Sequence, residues 1–274
     1  MRDLINKRTE LKGFRSTDFF IGKRVADRFY LFDKVRGLTL ISMVLFHSYW
    51  DLVYLIGMKT PLRGGQIEYL WQQSICWTFI FLSGLCMNLS KDGWKRGSQI
   101  LGASVLVTLV TLIVIPENRI VFGVLTMLGS AMLIGTAARK FTEKVPALAG
   151  FLANAVLFVL TKPVMYGYLG LLDKRIWKVP EFLYNGYLAT YFGFADPQFS
   201  SADYFPLMPW IFLFFCGYFL GRILNVKDKA AEESAKNERK GIPVLSWLGQ
   251  NSLFVYLIHQ PVLYIFVMLL GGSS

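Results

Sequence analysis

The sequence predicts an all-α, polytopic membrane protein with about seven transmembrane helices and a cytoplasmic N-terminus. Three observations carry this prediction: the composition, the length of the apolar blocks and the distribution of basic residues. Of 274 residues, 54% are hydrophobic and only 17% are charged, and the mean hydropathy is +0.44. This apolar fraction exceeds that of an ordinary soluble domain. The apolar residues come in blocks of about 20, the length that an α-helix needs to cross a bilayer.

The predicted architecture is a short arm followed by one membrane domain. Residues 1–31 are basic and amphipathic and form the arm, and residues 32–270 form the domain. A long aromatic connection covers residues 167–205, and a charged loop is predicted for residues 225–243. The seven predicted spans are residues 37–57, 68–89, 99–116, 119–138, 146–166, 206–224 and 246–270.

The orientation follows from the lysine and arginine residues. With alternating spans, 22 of the 29 basic residues fall on one side, including ten in residues 1–36, and seven fall on the other. The positive-inside rule therefore places the N-terminus in the cytoplasm and the C-terminus outside. The formal charge of +11 is largely this topology signal. It does not indicate a nucleic-acid partner, and we expect a multi-pass protein of the plasma membrane.

The first predicted span carries a polar stripe within the sequence RGLTLISMVLFHSYWDL, residues 36–52. Arg36 and His47 are eleven residues apart, so on a helix they lie within about 20° of one another and about 16 Å apart along the axis. Asp33 lies one turn before Arg36, and Asp51 one turn after His47. Ionisable groups inside a membrane are costly and usually functional. In an alternative interpretation, Arg36 is a membrane anchor and His47 a polar residue packed between helices.

The second of the two histidines, His259, lies in the last predicted span and is followed by Gln260 and Pro261. That span also runs from inside to outside, so His259 is expected at a depth similar to that of His47. The proline frees backbone groups that neighbouring helices or a water-filled cavity must satisfy. The two histidines are therefore candidates for one shared cavity, with helix packing as the alternative for His259.

The chemistry of these side chains suits proton transfer. Histidine is a base suited to neutral pH. Asp51 is predicted to orient the His47 ring and to stabilise its imidazolium form, as carboxylates do beside other catalytic histidines. Arg36 and Lys34 supply positive charge for phosphates. No cysteine, histidine or carboxylate spacing indicates a metal site.

The outer connection and the entry to the sixth predicted span contain further candidates. Asp203, Tyr204 and Trp210 are predicted to border the entrance for an acceptor molecule. The alternative is a helix entry in which Asp203 caps the helix that follows and the aromatic residues lie at the membrane interface. Aromatic residues of the connection are either membrane anchors or a platform for sugar rings.

Four segments resemble the heparan-α-glucosaminide N-acetyltransferase-like family of bacterial membrane proteins, within the wider transmembrane acyltransferases. The first, FDKVRGLTLISMVLFHSYWDL, carries the arginine and the histidine eleven residues apart that this group shares. The supporting segments are FGVLTMLGSAML (122–133), DYFPLMPWIFLFFCGYFLG (203–221) and LGQNSLFVYLIHQP (248–261). Together the four extend across most of the chain from about residue 32 to 265.

The resemblance implies transfer of an acetyl or other acyl group from cytoplasmic acyl-coenzyme A to an amino or hydroxyl group of a sugar on the far side. On this basis His47 matches the catalytic histidine of the family and Arg36 its arginine near the coenzyme, with Lys34 and Asp33 beside it. His259, Gln260, Asp203, Tyr204 and Trp210 are then candidates for the acceptor side. The implied partners are acyl-coenzyme A, a glycan acceptor, the bilayer and, as one option, a second copy of the chain.

Two other classes of function use the same residues differently. A small-molecule or proton-coupled transporter would use the stripe of Arg36, His47 and Asp51 as a pathway. A non-catalytic assembly protein of the cell envelope would need the aromatic connection but not the stripe. Dependence on acetyl-coenzyme A distinguishes the enzyme from both.

Overall fold

The computed structural model describes residues 30–171, 174–235 and 243–271, and most of these residues are helical. The predicted arm, residues 1–31, lies almost wholly outside this part of the chain. The chain divides into two compact units. We call residues 1–58 together with 238–274 the terminal unit, and residues 59–237 the central unit.

Long helices are separated by short helices or loops along the chain. The two strands lie between the sixth and the seventh helix, inside the long aromatic connection. The helices are α1 (Tyr30–Tyr54), α2 (Gln66–Met87), α3 (Gly93–Val114), α4 (Val124–Ala137), α5 (Arg139–Thr142), α6 (Ala147–Thr161), α7 (Gly186–Phe192), α8 (Leu207–Ile223), α9 (Val226–Ala235), α10 (Pro243–Gln250) and α11 (Ser252–Gly271), and the strands are β1 (Tyr168–Leu171) and β2 (Lys174–Lys178).

The described part of the terminal unit contains α1, α10 and α11. Helices α1 and α10 approach closely because glycine lies at the contact on both. A methyl group on Gly37 would lie 2.2 Å from the Leu245 carbonyl oxygen, and one on Gly249 would lie 2.0 Å from the Asp33 carbonyl oxygen. These contacts run in opposite directions along the two helices, so α10 returns towards the start of α1. Helix α11 then packs along α1 at His47 and Asp51.

The last predicted span, residues 246–270, is wrong at its start. The chain forms two helices that are separated at Asn251, and α11 begins only at Ser252. Asn251 donates its side-chain amide to the Trp247 carbonyl oxygen at 2.8 Å. Asparagine side chains compete with the backbone for hydrogen bonds in this way, which favours helix ends over helix interiors.

Helix α8 forms the centre of the central unit and packs against α2, α6 and α4, while α3 pairs with α4. Glycines again allow the closest contact: Gly84 of α2 lies against the backbone of Phe214, and Gly217 of α8 against that of Phe81. The strands β1 and β2 pair antiparallel, with Tyr168 opposite Lys178 and a register shift between Leu169 and Gly170.

Two further predictions need correction in the central unit. The span predicted for residues 119–138 contains only the 14 residues of α4, about 21 Å of helix, because the helix begins only at Val124. The loop predicted for residues 225–243 is helical over Val226–Ala235. Val226 and Ala230 are both buried, and their spacing of four residues gives this charged helix one apolar side.

Among the described residues, three helical segments are long and apolar enough to cross a membrane: Gly93–Val114, Ala147–Tyr166 and Ser252–Leu269. A fourth arises if Leu207–Ile223 and Val226–Glu232, which are bent by 56°, form one span. Helices α1 and α2 are outside this set, although 25 and 22 residues are long enough for a hydrocarbon layer of about 30 Å. Apolar helices of this length are typical of a helical membrane protein.

Candidate active site

Helix α1 carries the predicted stripe on one unbroken stretch of helix. It runs from Tyr30 to Tyr54, so Arg36 and His47 keep the predicted separation of about 16 Å along one side. Leu40 and Met43, which lie between them, are buried. Asp33 lies in the first turn, where its negative charge interacts favourably with the helix N-terminus.

Asp33 and Arg36 form a partly buried ion pair at one end of the stripe. Their side chains are 12% and 13% exposed, and Nη1 of Arg36 lies 3.8 Å from Oδ1 of Asp33. Lys34 is half-buried on the same turn. At this distance the carboxylate and the guanidinium form a long ion pair rather than a close hydrogen-bonded one. The first turns of α1 are therefore positively charged and held against α10.

His47 and His259 come together in the terminal unit. Their ring centroids are 4.9 Å apart with the ring planes at 57°, and Phe46 packs edge-on against His47 at 5.8 Å. His47 is half-buried, whereas His259 is 8% exposed. This contact joins residues that are 212 positions apart in the chain. It agrees with the expectation that the two histidines lie at a similar depth in the membrane.

Asp51 is completely buried, but its partner is not His47. Its carboxylate oxygens accept the side-chain amide of Gln260, at 3.3 Å to Oδ1 and 3.5 Å to Oδ2. Among the described residues, Asp51 makes no hydrogen bond to His47. The hydrogen bond of Asp51 is therefore made to Gln260 and not to the His47 ring, and a catalytic role of Asp51 stays a prediction.

Sequence reasoning missed the link between Asp51 and Gln260. Both residues were candidates, but nothing in the sequence indicates which polar groups of two distant helices meet. The sequence contains only an indirect indication of this contact: Asp51 and Gln260 are polar residues close to the two histidines in otherwise apolar segments. The structure adds that these four residues form one polar group on α1 and α11.

Asp203 lies in the central unit, where it caps a helix that precedes it in the chain. Its Oδ2 accepts the backbone N–H of Val124, the first residue of α4, at 3.2 Å. The alternative interpretation expected a cap on the helix that follows, but α8 begins after Pro206 without a side-chain cap. The carboxylate also lies close to Gly123, where a methyl group would be 2.8 Å from Oδ2.

Tyr204 and Trp210 have structural partners in the same region. The Tyr204 hydroxyl donates to the Thr190 carbonyl oxygen at 2.6 Å, and burial raises the pKa of this hydroxyl. The Trp210 ring is 7% exposed and packs against Phe158 and Phe205. A role in acceptor binding stays a prediction for Asp203, Tyr204 and Trp210.

Replacing Asp203 by Ala is expected to lower the free energy of unfolding by about 0.5–2 kcal/mol, because the N-terminus of α4 loses its cap. Asp203→Asn keeps a side-chain oxygen and is expected to cost less. Thermal unfolding of the detergent-solubilised protein measures both. Glu117→Ala is the matched control, since Glu117 is an exposed carboxylate close to the same helix. An Asp203→Ala variant as stable as this control would contradict the capping role.

The aromatic connection, residues 167–205, forms an open cleft beside its β-hairpin. The cleft has a volume of about 690 Å³. Trp177 and Tyr166 are largely exposed there, and the Arg175 guanidinium lies over the Tyr168 ring at 5.1 Å. Aromatic faces and a cation are compatible with a sugar platform and with a seat among lipid headgroups, so both interpretations of the connection stay open.

The described residues contain no group of three or more histidine, cysteine, aspartate or glutamate side chains that could hold a metal ion. A family model described as "Heparan-alpha-glucosaminide N-acetyltransferase, catalytic" matches residues 28–261. The chain belongs to this family. Searches of curated proteins and of solved structures found no significant match.

Membership of the heparan-α-glucosaminide N-acetyltransferase family confirms the resemblance drawn from the four segments and supports a transmembrane acetyltransferase. The matched range, residues 28–261, contains the whole stripe on α1 as well as His259 and Gln260.

Proposed function

We propose that this chain transfers an acetyl group from cytoplasmic acetyl-coenzyme A to an amino or hydroxyl group of a sugar or glycan outside the cytoplasm. The observation that carries the proposal is the arrangement on α1 within the family match: His47 in contact with His259, and Arg36 about 16 Å away on the same side. A base at one end and a phosphate-binding charge at the other suit a long thioester donor.

The donor is proposed to bind at the Arg36 end. Arginine presents a planar set of donors that matches phosphate oxygens, and Lys34 adds a point charge. Asp33 pairs with the guanidinium at 3.8 Å, so the side chain of Arg36 lies on the same turn of α1 as Lys34. The pantetheine arm would then extend along α1, past the buried side chains of Leu40 and Met43, and bring the thioester to His47.

His47 is proposed as the general base, with a covalent acyl-histidine as the alternative. As a base, it takes the proton of the acceptor amine or hydroxyl while the new bond forms to the carbonyl carbon. The carbon–sulfur bond then breaks, and the thiolate of coenzyme A leaves and is protonated. The half-buried position of His47, beside buried His259, supports a site that is reachable but poorly hydrated.

The membrane arrangement is proposed to have seven spans with the N-terminus in the cytoplasm. Helices α1 and α2 would be two of the spans, in addition to the apolar helices already described. The short α4, together with the loop before it, would form another span. The excess of basic residues on one side supports this orientation. It places Arg36 at the cytoplasmic mouth, where coenzyme A is available, and the aromatic connection outside.

Arg36→Ala is expected to weaken acetyl-coenzyme A binding about tenfold or more, because hydrogen bonds to charged groups contribute about 1.5–3 kcal/mol. His47→Ala is expected to keep most of the affinity, since His47 meets only the thioester. Isothermal titration calorimetry of the detergent-solubilised protein measures both. Arg36→Lys separates charge from the planar set of donors.

The matched control is Arg175→Ala, which removes the same charge from an exposed position on the outer hairpin. It is expected to bind acetyl-coenzyme A like the wild type. Correctly folded wild-type protein that binds neither acetyl-coenzyme A nor longer acyl donors would overturn the proposed function. The stripe would then have to serve another purpose, such as transport.

A further inference from the structure

His259 is held in one orientation by its own helix. Its Nδ1 lies 2.6 Å from the backbone carbonyl oxygen of Tyr256, one turn earlier in α11. A carbonyl oxygen only accepts hydrogen bonds, so Nδ1 must carry the proton. In the neutral ring, the lone pair is then at Nε2. The backbone therefore fixes the tautomer of His259 without any help from a second side chain.

The Nε2 atom of His259 is buried and has no hydrogen-bond partner among the described residues. Buried polar atoms in native proteins nearly always have partners, and an exception calls for an explanation such as a catalytic role or a bound water. The ring as a whole is 8% exposed and lies against the ring of His47. The unused lone pair thus belongs to a side chain in direct contact with the proposed base.

The titratable groups around His47 differ in whether they have an unused acceptor atom beside its ring. On α1, the charged or titratable side chains nearest to it are His47 and Asp51, and Asp51 is bound to Gln260. Helix α10, with the sequence PVLSWLGQ, contains no titratable side chain. On α11 itself, Tyr256 packs against His259 with ring centroids 5.5 Å apart. Of these groups, only His259 combines ring contact with His47 and an unused acceptor atom.

We propose that His259 is the positioning residue of His47, the role that the sequence suggested for Asp51. When His47 takes the proton of the acceptor, His259 shares it through Nε2 and stabilises the imidazolium. The proton passes on to the sulfur of the departing coenzyme A as the carbon–sulfur bond breaks, so both rings end neutral. The pairing of the two rings stands on the geometry, while its use in acetyl transfer rests on the proposed function.

The pairing is tested without substrate, because the chain contains only two histidines. Protein labelled with ¹³C and ¹⁵N in histidine, purified through a tag without histidine, gives two imidazole signals by nuclear magnetic resonance. His259→Gln and His47→Gln assign them. We expect His259 to show the tautomer with the proton on Nδ1, and we expect the His47 titration midpoint to move by about one pH unit in His259→Gln.

The use in catalysis is tested by chemical rescue. His259→Gly is expected to lower kcat for acetyl transfer to glucosamine, the probe acceptor, at least tenfold with little change in KM for acetyl-coenzyme A. Added imidazole is expected to restore part of kcat, because it supplies the missing ring. His47→Gly serves as the comparison. A purely structural role would lower the yield of folded protein without any response to imidazole.

The two tests separate failure of this inference from failure of the proposed function. Wild-type protein with coupled histidine signals but no binding of acetyl-coenzyme A would overturn the function and keep the pairing. If the wild type is active, any one of three results would overturn the inference and keep the function. These are a proton on Nε2 of His259, an unchanged His47 titration midpoint in His259→Gln, and a kcat in His259→Gly equal to that of the wild type.

Discussion

Replacing His47 by Ala is expected to lower the rate of acetyl transfer by about 100- to 10,000-fold, the usual contribution of a general base. The proposed reaction needs a group that takes the acceptor proton, and among the described residues of α1 no other half-buried base lies on the same side as Arg36. Binding of acetyl-coenzyme A should remain, so the loss is expected in kcat. Transfer of radiolabelled acetyl to glucosamine in proteoliposomes measures it.

Ser48→Ala is the matched control for His47→Ala. Ser48 is the next residue on α1, and its hydroxyl donates to the Val44 carbonyl oxygen at 2.8 Å within the same helix. The substitution therefore changes a half-buried polar side chain without touching the pair of histidines. It should leave kcat within about twofold, the range of ordinary neutral substitutions. Retention of full activity in His47→Ala would remove His47 from the mechanism.

Gly84→Ala is expected to destabilise the protein by more than about 1–3 kcal/mol, the usual cost of overpacking. A methyl group there would lie 1.8 Å from the Phe214 carbonyl oxygen. This oxygen belongs to the backbone of α8, so a change of side-chain rotamer cannot relieve the clash. Helices α2 and α8 would have to separate. Gly217→Ala is expected to have a similar effect, because its methyl group would lie 2.0 Å from the Phe81 carbonyl oxygen.

The control for both glycine variants is Gly102→Ala on α3, an exposed position at which a methyl group meets nothing within 4 Å. Alanine is the better helix former by about 1 kcal/mol, so this variant is expected to be neutral or stabilised. Thermal unfolding in detergent, followed by size-exclusion chromatography, compares the three. Equal midpoints for Gly84→Ala and Gly102→Ala would contradict the close crossing of α2 and α8.

The sequence was sufficient for the helical class and for the stripe on α1, because both depend on local periodicity. A block of about 20 apolar residues has few alternatives to a helix in a membrane, where backbone groups must be satisfied within the segment. The spacing of Arg36 and His47 then follows from helix geometry alone. The same local signal also carried the family resemblance, which the match over residues 28–261 confirmed.

Helix ends were predicted less well, since they depend on individual hydrogen bonds that the apolar pattern does not show, one of them from a distant residue. The start of α4 at Val124 is fixed by Asp203, which lies 79 positions later. The break at Asn251 and the helical form of Val226–Ala235 fall in segments whose hydropathy gives no boundary signal. The pattern of apolar residues in a segment cannot show a helix cap whose side chain comes from a distant part of the sequence.

The amino-acid sequence by itself thus determined the class of fold, the polar stripe and the family, since each depends on residues that are close together in the sequence. Only the tertiary structure decided which polar groups meet. It joined Asp51 to Gln260 rather than to His47, and it brought His259 against His47 with one lone pair unused. The physical reason is that hydrogen bonds between helices depend on the rotation and depth of each helix, which packing determines and local sequence does not.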